Sequence, residues 1–229
     1  MLLDLDGTLI DSAPDLLATL NTLLTENRRR TLSLDEIIPL IGDGIGALVA
    51  RAMRETGGAA EPPELRHLVE RFLEIYLDPD RPQLTRVYDN VPATLVAIRQ
   101  DGHRLAVCTN KVEEAASSLL RQLGLYEFVD AVVGGDKVTA QKPHPAHVQA
   151  ALERLEAAAG SAVMVGDSRN DIAAGAAAGT ATIAVTYGYG DVATIVPRPT
   201  RTIDRFDDLP AVLRDLRTER FRRVPPPGG

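Results

Sequence analysis

From Val91 onward the chain alternates helical periodicity with short apolar runs, and the runs end in polar groups. Leu105-Ala106-Val107-Cys108 gives way to Thr109-Asn110-Lys111, and Ala162-Val163-Met164-Val165 to Gly166-Asp167-Ser168-Arg169-Asn170-Asp171. At the start, Met1-Leu2-Leu3 ends in Asp4-Leu5-Asp6-Gly7-Thr8. Apolar runs of this length between helices are strands buried on both faces, and their alternation with helices builds a parallel sheet. Open α/β sheets bind ligands beyond the carboxyl ends of their strands, where these polar groups would gather. The pattern predicts helices over 91–100, 113–123 and 146–159, and strands over 104–108, over 129–133 and from 162 and 181.

Between the first strand and this alternation lie helical patterns over 14–27, 35–40, 44–56 and 63–77, with no strand among them. The expected organisation is therefore an α/β core of residues 1–14 and 82–229, interrupted by an α-helical cap over 15–81. Placed directly after the first strand, such an insert sits over the carboxyl edge and can close as a lid. Within it, Gly42-Asp43-Gly44-Ile45-Gly46-Ala47 satisfies the dinucleotide pattern G-x-G-x-x-A. A helix precedes it where that pattern needs a strand, which excludes a nicotinamide site. A glycine turn at Gly42 and Gly44, ahead of a helix, can still bind a small anion through free N–H groups. Arg51 and Arg54 are the alternative anion partners. Residues 218–229, with arginines at 220, 222 and 223 and the run Pro225-Pro226-Pro227-Gly228-Gly229, read as a frayed tail.

Alternate residues of a strand share a face, so Asp4 and Asp6 reach one point. Two carboxylates that close repel unless a cation or a shared proton intervenes, and Mg2+, with its oxygen ligands, fits. Asp-Gly is also a common turn dipeptide, so the pair taken alone fits a turn as well as a site. Lys142-Pro143-His144-Pro145 places a lone cation in a segment its prolines keep from being a helix interior. Gly166 to Asp171 fails as a calcium loop, because Arg169 falls where an oxygen ligand is needed. None of the four histidines has a pattern that assigns it chemistry. Charged residues number 25 basic against 32 acidic, a net charge of −7, which argues against general affinity for nucleic acid. Cys108 is the one cysteine, so no disulfide forms within the chain, and a reducing cytoplasm fits. A cysteine-dependent phosphatase would need an arginine where Glu114 stands. No apolar stretch approaches the ~18 residues of a membrane helix.

In this order, Asp4-Leu5-Asp6-Gly7-Thr8, Thr109, Lys142, and Asp167 with Asp171 resemble the four motifs of the haloacid dehalogenase superfamily. More closely, Asp4 to Leu16, Ile41 to Gly46, Cys108 to Lys111, Lys142 to Pro145, Val165 to Gly179 and Thr186 to Gly190 are similar to the bacterial phosphoglycolate phosphatases. The resemblance implies a Rossmann-like parallel-sheet core with an inserted helical cap. It also implies a magnesium-dependent phosphomonoester hydrolase working through an aspartyl-phosphate. Asp4 would be the nucleophile and a metal ligand; Asp6 the acid–base group, ligating metal through its backbone carbonyl; Asp167 a further metal ligand; and Asp171 the holder of a metal-bound water. Thr109, the N–H of Asn110 and Lys142 would bind the phosphate.

The implied partner is a small-molecule phosphate ester, first of all 2-phosphoglycolate, converted to glycolate and phosphate. Sugar or amino-sugar phosphates and pyrophosphate are the alternatives. A sugar-phosphate mutase stays open as a further alternative, although its relatives carry a histidine where Ser12-Ala13-Pro14 stands; a haloalkanoate dehalogenase would lack Asp6, and a phosphonate hydrolase would carry a cap lysine, absent between Asp11 and Asp80. A regulatory module without turnover would lack a catalytic group, and all are present. Monomer and homodimer are both compatible with the sequence. The family carries several residues ahead of its nucleophile where three precede Asp4. The expectation is that either the upstream reading frame encodes an apolar extension or another segment covers the strand.

Overall fold

The computed structural model describes residues 1–223. Its eight strands are β1 (Leu2–Leu3), β2 (Ile10–Asp11), β3 (Arg86–Val87), β4 (Ala106–Thr109), β5 (Ala131–Gly134), β6 (Val163–Gly166), β7 (Ala181–Val185) and β8 (Arg201–Ile203). Six of them form one parallel sheet in the order β5-β4-β1-β6-β7-β8. In the centre Leu2 lies between Ala106 and Met164, and Leu3 between Val107 and Val165. The Asp4 N–H donates to the Val165 carbonyl at 2.9 Å, carrying the ladder one residue past β1. The chain is thus an α/β protein with a Rossmann-like sheet.

The period-two alternation of the strands sorts their side chains into two cores. Leu3, Leu5, Val107, Val165 and Ile183 pack with Leu95, Ile98, Leu119, Leu120 and Leu209. These come from α5 (Val91–Gln100), α6 (Glu113–Gln122) and α9 (Leu209–Arg223). On the other face Leu2, Ala106, Cys108 and Met164 meet Val148, Ala151, Leu152 and Ala174. Those belong to α7 (Pro145–Arg154) and α8 (Arg169–Ala177). Helix α7 stops five residues before the expected 159, because Glu156 takes a left-handed φ of 49° and the Ala157 N–H turns back to the Leu152 carbonyl. Strand β8 was not expected: three residues beginning with Arg201 give too short a pattern to read. Helix α9 runs through residues 218–223, the first part of the expected tail; residues 224–229 lie outside the described residues.

Four helices fill the insert: α1 (Ala13–Glu26), α2 (Leu34–Ile37), α3 (Gly44–Gly57) and α4 (Pro62–Tyr76). They share an apolar cluster of their own around Leu20, Leu23, Leu24, Ile37, Val49, Met53 and Phe72. A Ser33–Glu36 capping box starts α2. The two connections to the insert run side by side as the antiparallel ribbon β2–β3, with Ile10 opposite Val87 and Asp11 opposite Arg86. Buried Asp15 staples them. It takes hydrogen bonds from the N–H groups of Leu84 and Thr85 and the Thr85 hydroxyl, and an ion pair from Arg81 at 2.6 Å.

Candidate active site

All of the polar strand ends open on one side of the sheet. Strand β1 ends at Leu3, and Asp4 to Ile10 form a tight loop in which the Leu5 carbonyl accepts from the N–H groups of Thr8, Leu9 and Ile10. Gly7 sits in it at φ +84°, and a Cβ there would lie 2.5 Å from an Asp167 oxygen. Only glycine permits both that conformation and that approach. Asp4 and Asp6 therefore face the same cavity from a turn, not from alternate positions of one strand.

Asp4, Asp167 and Asp171 bring carboxylate oxygens within 4.8 Å of one another. Asp167, at the end of β6, accepts from the N–H groups of Tyr189 at 2.8 Å and Gly190 at 3.3 Å. Asp171, fully buried in the first turn of α8, accepts from the N–H and hydroxyl of Ser168. Lys142 inserts its ammonium into this group, 2.9 Å from Asp4 and 2.6 Å from Asp171, with a third contact to the Cys108 carbonyl at 2.6 Å. Burial works against its charge, but Asp171 and Asp4 more than offset this and hold its pKa above the ordinary lysine range. With all three carboxylates ionised, one ammonium would leave two negative charges in a buried site.

The carboxylates register that imbalance. Burial, then repulsion from Asp171, pushes Asp4 well above the usual carboxylate range, against the pull of Lys142. Burial and Asp171 likewise push Asp167 up to about 7. A divalent cation among these oxygens would offset the repulsion that adds to burial in both shifts, so the donor set fits a divalent ion such as Mg2+.

Asp6 lies outside that cluster. Its carboxylate accepts from the Ser12 hydroxyl and from the Lys111 ammonium at 3.2 Å. Lys111 is buried, stands 4.8 Å from the Tyr76 ring centroid, and keeps its charge because Asp6 outweighs the cost of burial. Thr109 ends β4, its hydroxyl taking the Lys111 N–H at 3.2 Å. The Asn110 side chain donates to the carbonyls of Gly42 and Lys142, both at 2.9 Å, and accepts from the Lys142 N–H. Above these groups is a cavity of about 370 Å³. Its floor includes Asp4, Asp6, Thr109, Asn110, Lys111 and Asp167, and its roof Leu16, Ile38, Pro39, Ile41, Ile45 and Leu48.

A family model described as haloacid dehalogenase-like hydrolase matches residues 1–185. The chain belongs to that family. It is 37% identical over 221 residues to a phosphoglycolate phosphatase of Neisseria gonorrhoeae, covering 95% of this chain and 92% of the relative. It is 38% identical over 218 residues to a phosphoglycolate phosphatase of Agrobacterium fabrum, covering 93% and 91%. Among solved structures, a predicted phosphoglycolate phosphatase from Haemophilus somnus superposes with a TM-score of 0.82 at 30% identity, covering 92% of this chain and 96% of that one. The protein is an enzyme of the phosphatase kind.

Lys111 had no role assigned from sequence, yet it is the partner of Asp6. A signal was present: in the run Thr109-Asn110-Lys111 the alternation after a strand puts Thr109 and Lys111 on one side. His147, fully buried, was also left without a role. Its Nδ1 accepts the Lys142 N–H at 3.4 Å and its Nε2 lies 3.1 Å from the Val133 carbonyl, so the ring supports the loop that presents Lys142. Burial and Lys142 push its pKa down to about 4. Arg51 is tied to Asp43 and to the Leu40 carbonyl, and Arg54 is exposed; neither lines the cavity. Cys108 is buried, its thiol pushed up to about 12 by burial, as befits a small core residue.

Proposed function

We propose that the protein is a magnesium-dependent phosphomonoester hydrolase whose substrate is 2-phosphoglycolate. The observation that carries this reading is the buried cluster of Asp4, Asp167, Asp171 and Lys142 under the cavity, formally two positive charges short of neutrality. Asp4, Asp167 and the backbone carbonyl of Asp6 would hold the magnesium, which would neutralise the approach of a carboxylate to a phosphate dianion. Asp171 would hold a metal-bound water as well as Lys142.

In the first step an Asp4 oxygen forms a bond to phosphorus while the bond from phosphorus to the ester oxygen breaks. Asp6 gives its proton to the departing oxygen. In the second step water attacks phosphorus, Asp6 takes its proton, and the Asp4 carboxylate leaves with the bonding pair. Lys142, Thr109 and the Asn110 N–H bind the phosphate oxygens, and the helical insert, residues 15–81, acts as a cap excluding bulk water.

The relatives' names support 2-phosphoglycolate, as does the glycine turn Gly42–Gly44 beside the cavity at the start of α3. Free N–H groups of that first turn offer the substrate carboxylate positive potential, which matters because Arg51 is already paired. No helix among the described residues is long and apolar enough to cross a membrane, and the reading includes a cytoplasmic location. The deciding experiment is a hydrolysis screen with Mg2+ across 2-phosphoglycolate, sugar and amino-sugar phosphates and pyrophosphate. The highest kcat/KM is expected for 2-phosphoglycolate; a higher value for any of the others would overturn the assignment.

A further inference from the structure

The turn at Gly42-Asp43 belongs to the cap, yet it is held by side chains of the core. Its Gly42 carbonyl accepts from two amides, Asn110 at 2.9 Å and Asn170 at 3.2 Å. Asn170 also donates to the Asp43 carboxylate at 2.6 Å. Asp43 is oriented from the other side by Arg51, one of whose nitrogens pairs with it while another reaches the Leu40 carbonyl. The turn comes this close because Gly42 and Gly44 have φ values of +117° and +81°, and a Cβ on Gly44 would lie 3.1 Å from the Asn110 carbonyl.

We infer that Asn170, together with the side chain of Asn110, is a positioning residue that latches the cap shut over bound substrate. These bonds join the cap to the core, whose apolar clusters meet, among the described residues, only where Ala115 and Val112 touch that of the cap, and a cap that swings away from the core breaks them. Both amides also belong to the strand-end segments that carry the candidate site, Asn110 just after β4 and Asn170 in the first turn of α8. Asn170 precedes Asp171, and Asn110 holds the Lys142 backbone at both its N–H and its carbonyl. Closing the cap therefore seats the turn against the same segments that fix the ammonium and the acidic cluster. An interaction made in the closed state and lost in the open one contributes to substrate retention, and its removal appears chiefly in KM.

The inference rests on the phosphatase reading, and the test separates the two by using p-nitrophenyl phosphate together with hydrogen exchange. Asn170→Ala should lower kcat/KM about tenfold, mainly through KM, the effect expected for a hydrogen bond to a charged group. In saturating inorganic phosphate the amides of residues 42–46 should exchange faster in the variant, while those of β6 do not. Asp43→Ala, on the cap side and half-exposed, should do the same, and the double variant should be no worse than either single. The exchanged pair, Asn170→Asp with Asp43→Asn, restores a donor facing an acceptor and should recover part of the loss. Additive losses, or a fall in kcat at constant KM and unchanged exchange, would overturn the latch. Phosphate-dependent protection in a wild type that fails to hydrolyse the ester would leave the latch standing and sink the phosphatase reading.

Discussion

Lys142→Met removes the one ammonium from the acidic cluster while keeping a stem of similar length. The wild-type ammonium is almost fully buried and makes three contacts between 2.6 and 2.9 Å. Its loss leaves Asp4 and Asp171 buried beside Asp167 with no positive charge among them. Breaking a buried pair by removing one partner costs about 3–5 kcal/mol. For a chain of this size that lowers Tm by roughly 6–20 °C near pH 7.5 in chelator. The deficit depends on pH in a direction the site fixes. Without the ammonium, the folded state holds protons on these carboxylates more tightly than the unfolded chain does. A folded pKa raised in this way gives stability that is present at low pH and lost as pH rises. The variant's deficit should therefore shrink on going from pH 7.5 to pH 5, and saturating Mg2+ should recover part of it at pH 7.5. Thermal melts of wild type and variant at both pH values, with and without the ion, provide the measurement. A deficit equal under all four conditions would mean that lost packing, not electrostatic imbalance, sets the cost, and would refute the charge accounting.

Three further outcomes are expected. Asp4→Asn should abolish turnover and yet raise Tm in chelator above pH 7, because burial and Asp171 already disfavour the charged form of Asp4; an unchanged or lower Tm would contradict this. Lys111→Met should reduce kcat by about 10²-fold or more at unchanged metal requirement, since it strips Asp6 of its ion pair and spares the acidic cluster; a raised requirement for Mg2+ would place Lys111 in the wrong role. His147, neutral when buried with its pKa near 4 against about 6.5 unfolded, contributes stability that is present above pH 6.5 and lost as pH falls through 4. Urea melts should therefore show a smaller loss between pH 7 and pH 4.5 for His147→Gln than for wild type.

The parallel sheet was legible because its strands are apolar on both faces and end in polar residues, a pattern that carries through Leu105–Cys108 and Ala162–Val165. What escaped has physical reasons. The β2–β3 ribbon is two residues on each side and is held by Asp15 and its donors 66 to 70 residues away, so no local pattern reveals it. Helix α7 ends at a left-handed Glu156, a conformation that residue type does not advertise. Among site residues, those whose type suggests chemistry at a strand end were identified, and the structure gathers Asp4, Asp6, Thr109, Lys142, Asp167 and Asp171 at one edge. Those acting through a partner, Lys111 through Asp6 and His147 through the Lys142 loop, needed coordinates.

The Asp4–Asp6 pair shows why environment decides what sequence leaves open. One residue apart and of one type, the two carboxylates were expected to share a point and a cation. The loop that Gly7 permits separates them. Asp4 turns into a buried group that, fully ionised, would carry two uncompensated negative charges, an excess that a divalent ion would balance. Asp6 turns towards Lys111 and Ser12, where its charge is already balanced. A nucleophile has to be ionised beside a phosphate, which demands cations around Asp4. The carboxyl proposed to carry the proton, Asp6, has to change charge during the reaction, and a single ammonium opposes its protonation less than a divalent ion at the same place would. In the proposed mechanism the division of labour between the two carboxylates follows which lysine each one meets, Lys142 or Lys111, and both lysines lie more than a hundred residues away from Asp4 and Asp6.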